Sequence, residues 1–151
     1  MPRMLVFLLA FATLAALAGC GDPDGPIDSM TVYSLNGEDR APPDKPWKGE
    51  QFHGFGVLGK TEIASASDRG AILAAIKKGI AESDGRENKC FWPHHGVRLV
   101  QNGATIEYVI CFHCLQLERY SKSGNVHQQT TTSSAGLLDS HLEKAGIPLQ
   151  N

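Results

Sequence analysis

The chain has 151 residues, with 14 basic and 16 acidic side chains and a formal net charge of −2 at neutral pH. That balance excludes an electrostatic case for nucleic-acid binding, which needs a clustered excess of Lys and Arg. The length is ordinary for one domain, which buries roughly two thirds of its unfolded surface and needs no disulfide to fold.

Met1-Pro2-Arg3 sets one positive charge ahead of an apolar run from Met4 to Leu17, and Leu17-Ala18-Gly19-Cys20 follows. The run is too short and too weakly flanked to span a membrane, so residues 1–19 read as a signal peptide. The last four residues resemble the lipobox of bacterial lipoproteins. That resemblance implies removal of residues 1–19 and transfer of a diacylglyceryl group to the Cys20 thiol. Acyl burial is worth ~0.8 kcal/mol per methylene, and more than one chain gives stable anchoring. The competing reading is cleavage at Ala16-Leu17-Ala18, which would leave Cys20 for a disulfide. Removing residues 1–19 takes away only Arg3, leaving 13 basic against 16 acidic groups, or −3.

The expected mature protein is therefore a lipidated tether, residues 20–26, carrying one domain over residues 27–151. It faces the periplasm or the exterior of a cell envelope. Its partners are the membrane, through Cys20, and a candidate envelope protein. Gly21 to Pro26, rich in Gly, Pro and Asp, has no apolar periodicity.

Met30 to Leu35 is β-branched and aromatic enough for a strand. Asn36 to Glu50, with Pro42, Pro43 and Pro46, reads as a long surface loop from which Trp47 can fold back over the core. Phe52 to Ile63 reads as a second strand, in which Gly54, Gly56 and Gly59 signal bulges or close backbone approach. From Asp68 to Ser83 the period becomes helical: Ile72, Leu73, Ile76 and Ile80 share one face, with Ser67 as the expected cap and Gly85 as terminator. Packing on the core is preferred to a membrane-surface role, because Lys77 and Lys78 make only a thin basic face.

Asn102-Gly103 is a favoured two-residue hairpin turn. It sets Leu99 opposite Ile106, Val97 opposite Tyr108, His95 opposite Ile110, and Arg98 opposite Glu107 as a cross-strand ion pair. Leu115 to Tyr120 continues as strand, Lys122 to Asn125 turns, and Val126 to Thr132 is an edge strand or a polar loop. A last helix, Ala135 to Ala145, shows Leu138 and Leu142 on one face and ends at Gly146-Ile147-Pro148. The expected fold is α+β: an antiparallel sheet of about five strands with two helices on one face.

Three cysteines and three histidines crowd into Cys90 to Cys114. Continuing the hairpin register places His94 opposite Cys111 and Phe91 opposite Cys114, so a bulge near Pro93 or Gly96 lets Cys90 reach Cys114. In an extended strand Cys111 and Cys114 point to opposite faces and cannot bond; only a turn at Phe112-His113 makes the C-x-x-C a pair. Four readings stay open. They are a structural disulfide from Cys90, a zinc site using Cys90, Cys111, Cys114 and one of His94, His95 or His113, a thiol-redox centre, and buried thiols acting as small hydrophobes. His95, on the apolar face, also reads as a core imidazole with a backbone partner. His53, His127 and His141 are assigned no chemistry.

The segments C-F-x-P-x-H-G (Cys90 to Gly96) and I-C-F-x-C (Ile110 to Cys114) are similar to a pattern in uncharacterised secreted or lipid-anchored bacterial proteins. Cys90, Phe91, Pro93, His95, Gly96, Cys111, Phe112 and Cys114 match it, and the likeness takes in Val57 to Ile63. His94 and His113 depart from it, which favours His95 as the fourth member of any shared site. The resemblance implies a place and no activity. The sequence contains no phosphate-cradling Gly-rich loop, no H-E-x-x-H, no G-x-S-x-G and no paired-carboxylate signature. The leading expectation is a non-enzymatic binding or structural module; the alternative is a zinc-binding or thiol-active envelope protein.

Overall fold

The computed structural model describes residues 25–40 and 48–150. The expected signal peptide, the expected lipidation site Cys20, most of the expected tether and Trp47 lie outside those residues. In chain order the elements are β1 (Ile27–Arg40), β2 (Gln51–Phe52), β3 (Phe55–Glu62), α1 (Ala66–Ala81), β4 (His95–Gln101), β5 (Ala104–Cys111), β6 (Gln116–Ser121), β7 (Gly124–Gln129) and α2 (Ala135–Lys144). The strands form one antiparallel sheet in the order β2-β3-β1-β4-β5-β6-β7.

The α+β class expected from the sequence holds, with seven strands among the described residues in place of about five. One extra strand arises because Phe52 to Ile63 is broken in two. His53 and Gly54 both take positive φ, 51° and 86°, so they reverse the chain as Asn102 and Gly103 do at 52° and 72°. The other is β7, the polar run after Lys122-Ser123, which pairs with β6 from Ser121↔Gly124 to Gln116↔Gln129.

Alternation along the strands separates two apolar faces. Met30 and Val32 of β1, Val97 and Leu99 of β4, Tyr108 and Ile110 of β5 and Leu117 of β6 point to one side. There they meet Ile72, Leu73 and Ile76 of α1 and Leu138 and Leu142 of α2 in a single cluster. Tyr33, Leu35 and Val109 point to the other side, where Phe52 and Phe55 join them. The β4–β5 register is the one the Asn102-Gly103 turn dictates, from His95↔Ile110 to Leu99↔Ile106.

The second face is closed by curling. β1 slips register against β3 between Ser34 and Leu35 and again between Asn36 and Arg40, and such bulges bend a strand and deepen its twist. The β2–β3 turn is thereby swung across the sheet. Phe52 stacks on Tyr33 at 4.4 Å between ring centroids, and His53 stacks on Tyr120 of β6 at 3.7 Å. His53 Nε2 also bonds Glu107 of β5 at 2.8 Å. Glu107 accepts from Arg98 Nε at 2.5 Å as well, as the cross-strand pairing predicts.

α1 is capped two residues earlier than expected: Ser65, not Ser67, accepts from the Asp68 N–H at 3.2 Å. Its C-cap is Glu82, and Gly85, although left-handed at φ 80°, lies beyond it. α2 ends as the sequence predicts. Gly146 N–H donates to Glu143 C=O and Ile147 N–H to Leu142 C=O, the paired bonds that close a helix through a left-handed glycine. The tail then crosses β1, where Ser34 Oγ donates to Pro148 C=O at 2.6 Å and Gly37 N–H to Gln150 Oε1 at 2.6 Å.

Candidate functional site

The crowded Cys90–Cys114 stretch does not continue the hairpin downward. The β4–β5 register stops at His95↔Ile110, and the His94 carbonyl instead accepts from Leu35 N–H of β1 at 2.9 Å. β5 runs on to Cys111 and then reverses through Phe112 to Leu115, with Leu115 at φ 55°, so that Cys111 pairs with Gln116. That reversal removes the premise that kept Cys111 and Cys114 apart. Their Cα atoms are 5.2 Å from each other and the two sulfurs are bonded, whereas Cys90 is a free, partly exposed thiol. Of the readings left open, a bridge from Cys90 is not formed, and the turn at Phe112-His113 that would make the C-x-x-C a pair is present.

The turn is held from outside by Asn88. Its N–H donates to Cys114 C=O at 3.0 Å and its side-chain amide to His113 C=O at 2.8 Å, while Gln116 Nε2 donates to the Asn88 carbonyl. Cys111 and Cys114 are 1% and 0% exposed, so no attacking thiolate reaches either sulfur. Among the described residues no three His, Cys, Asp or Glu side chains gather where they could hold a metal. The zinc set of Cys90, Cys111, Cys114 and a histidine is therefore not assembled: two of its sulfurs are spent on each other, and His95 turns to a carboxylate.

Beside this turn lies a cavity of about 260 Å³ bordered by His94, His95, Phe112, His113, Ala135, Asp139, Leu149 and Gln150. Three elements build it. β4 supplies His95, with His94 just before it, the disulfide turn supplies Phe112 and His113, and α2 with the tail supplies the rest.

His95 is 7% exposed, and its Nε2 lies 2.7 Å from Asp139 Oδ1. A carboxylate only accepts, so Nε2 carries the proton and Nδ1 is the bare nitrogen. Nδ1 is buried and has no hydrogen-bond partner. The Phe112 ring covers the imidazole with its centroid 5.2 Å away.

Burial pushes the His95 pKa below its ordinary value, against the opposing pull of Asp139. His94 is pushed down too, first by burial and then by His113. Both imidazoles are consequently neutral at neutral pH. The only lone pair His95 offers is buried, so its imidazole is not placed to take a proton from anything in the cavity. What it can do is fix α2 against β4 and present Asp139, His94 and His113 as the polar wall of a small recess.

Sequence reasoning found His94, His95 and His113 but gave His95 a backbone partner; the partner is Asp139. The signal was available, because Asp139 follows the core residue Leu138 on a helix and a core imidazole needs a polar mate. The positions that match the secreted-protein pattern have packing roles in this chain. Phe91 joins the second apolar cluster, Pro93 lies against Gly37, Gly96 lies under the Phe52 ring and Phe112 covers His95. No helix among the described residues is long and apolar enough to cross a membrane. The architecture and recess define an α+β domain with an antiparallel curled sheet. Comparison with family models, curated proteins and solved structures finds no match.

Proposed function

We propose that this chain is a lipid-anchored domain of the bacterial cell envelope that acts by binding rather than by catalysis, with the His94/His95/His113/Asp139 recess as its binding surface. The observation that carries the anchor is Leu17-Ala18-Gly19-Cys20 after an apolar run. β1 opens at Ile27, so Gly21 to Pro26 would be the whole spacer between lipid and fold. A bonded Cys111–Cys114 pair with buried sulfurs suits an oxidising compartment and a structural role. The binding reading is supported by a recess in which the one His–Asp pair keeps its free imidazole nitrogen buried, out of reach of anything bound in the recess.

The test is Cys20→Ala in cells fed an alkyne-tagged fatty acid. The unaltered protein takes up the tag and sediments with membranes; the variant loses both. A membrane fraction unchanged by the substitution refutes the anchor. For the recess, His113→Ala and Asp139→Asn should weaken capture of its ligand while the fold persists.

A further inference from the structure

β7 is the last strand of the sheet, and among the described residues nothing pairs with its outer side. The strand at the opposite edge, β2, is two residues long, too short to template another chain. β7 has six residues, Gly-Asn-Val-His-Gln-Gln, with no Lys, no Pro and no bulge in its register with β6. Those are the devices by which edge strands usually resist pairing. Its sole titratable side chain, His127, is held on one face between Glu87 and Glu118 at 3.0 Å each.

The backbone of β7 can be sorted by which way it faces. Thr130 N–H donates to Leu115 C=O at 3.0 Å. Leu117↔Gln128, Arg119↔Val126 and Ser121↔Gly124 follow at every second position. In an antiparallel ladder hydrogen-bonded pairs alternate with unbonded ones. The N–H and C=O groups of Gly124, Val126 and Gln128 therefore face β6, and those of Asn125, His127 and Gln129 face outward. Among the described residues Val126 is one of three large apolar side chains left exposed, at 50%.

We infer that β7 pairs antiparallel with β7 of a second copy of this chain, about a two-fold axis through Val126. In that register Val126 stands opposite its symmetry mate in an unbonded pair, where Cα atoms are ~4.5 Å apart and side chains are closest. The outward groups of Asn125 exchange hydrogen bonds with those of the partner's His127, and the converse. The contact is isologous, so it closes at two copies and does not propagate. A two-fold through His127 would instead set two imidazoles face to face and leave both valines uncovered. The inference does not rest on the anchor or on the recess.

So short a contact makes a weak dimer, and the test traps it. Val126→Cys is introduced in the full chain with Cys90→Ser, cells are treated with copper phenanthroline before non-reducing electrophoresis, and the band given by Cys90→Ser alone, which any unlipidated Cys20 would produce, is subtracted throughout. The expected result is a band at twice the monomer mass, far stronger than for Thr105→Cys, an exposed site at the far end of the β4–β5 hairpin. Asn125→Pro added to Val126→Cys should abolish the band, since it removes an outward N–H and leaves the β6 bonds in place. Unchanged protease resistance checks that this variant is folded. Equal cross-linking at Thr105→Cys and Val126→Cys, or a band that survives Asn125→Pro, overturns the inference.

Discussion

The ring of Phe52 lies 2.8 Å from where a Cβ on Gly96 would sit, although β3 and β1 stand between their strands in the sheet. Only a curled sheet brings them together, and only glycine leaves room. Gly96→Ala should therefore displace Phe52 and lower stability by roughly 1–3 kcal/mol, the usual cost of overpacking. Phe52→Leu should recover part of that loss, which a double-mutant cycle in urea would read as coupling. Strictly additive costs would show that the two residues do not hold the curl jointly.

Glu107 ties the same hairpin down from the other side of Phe52. Its carboxylate, 16% exposed, accepts from Arg98 and meets His53. Glu107→Ala leaves a half-buried imidazole without its partner, at a cost of about 1–3 kcal/mol. Because His53 sits in the β2–β3 turn, amide exchange there should accelerate more than in β5 itself. Equal acceleration throughout the sheet would contradict this.

The burial of His95, only partly offset by its bond to Asp139, gives the fold a pH dependence whose sign is fixed. Burial lowers the folded-state pKa of His95 below its ordinary 6.5. As pH falls past that value the unfolded chain takes up the proton first, so stability is full above it and declines toward the folded-state pKa. His127 acts in the opposite sense, since Glu87 and then Glu118 raise its pKa. Its stabilisation is present at low pH and fades as pH rises, and its exposure keeps the effect small. Urea midpoints should thus drop between about pH 7.5 and 5.5, and His95→Gln should flatten the drop while His127→Gln steepens it. Asp139→Ala should cost about 1–3 kcal/mol at neutral pH by leaving Nε2–H unpaired. A midpoint that rises on acidification would reverse the assignment.

Local chemistry made much of this fold readable. Asn102-Gly103 set an entire strand register, the apolar spacing of Ile72, Leu73 and Ile76 located α1, and Gly146-Ile147 closed α2. The reversal at His53-Gly54 was hidden because residues other than glycine seldom take positive φ and His-Gly is not one of the usual hairpin-turn pairs, so the glycines around it looked like bulges inside one strand. The site was harder still. Whether Cys111 and Cys114 face apart or together turns on the few residues after β5, and the contacts that hold that turn come from Asn88, far away in sequence. Asp139 was missed for a related reason: helix periodicity shows which face is buried without showing which strand residue lies beneath it.

Reading the Cys111–Cys114 bond as structural makes a prediction about thiols that also bears on the anchor. The sulfurs are 1% and 0% exposed, so dithiothreitol should leave the bond intact in the folded protein and reduce it readily once urea is added. A four-residue loop contributes about 2 kcal/mol in the chain-entropy account, and Cys111→Ser with Cys114→Ser should lower stability by that order. Native protein should then show Cys90 as its one reactive thiol if Cys20 carries lipid, and Cys20 as a second if it does not. Unfolding with reductant adds Cys111 and Cys114 in either case. Rapid reduction of the folded protein would instead mean that the bond is reached by outside thiols, returning the turn to redox chemistry. Labelled peptides identify which cysteine reacted, so the anchor and the bridge are judged separately in one measurement.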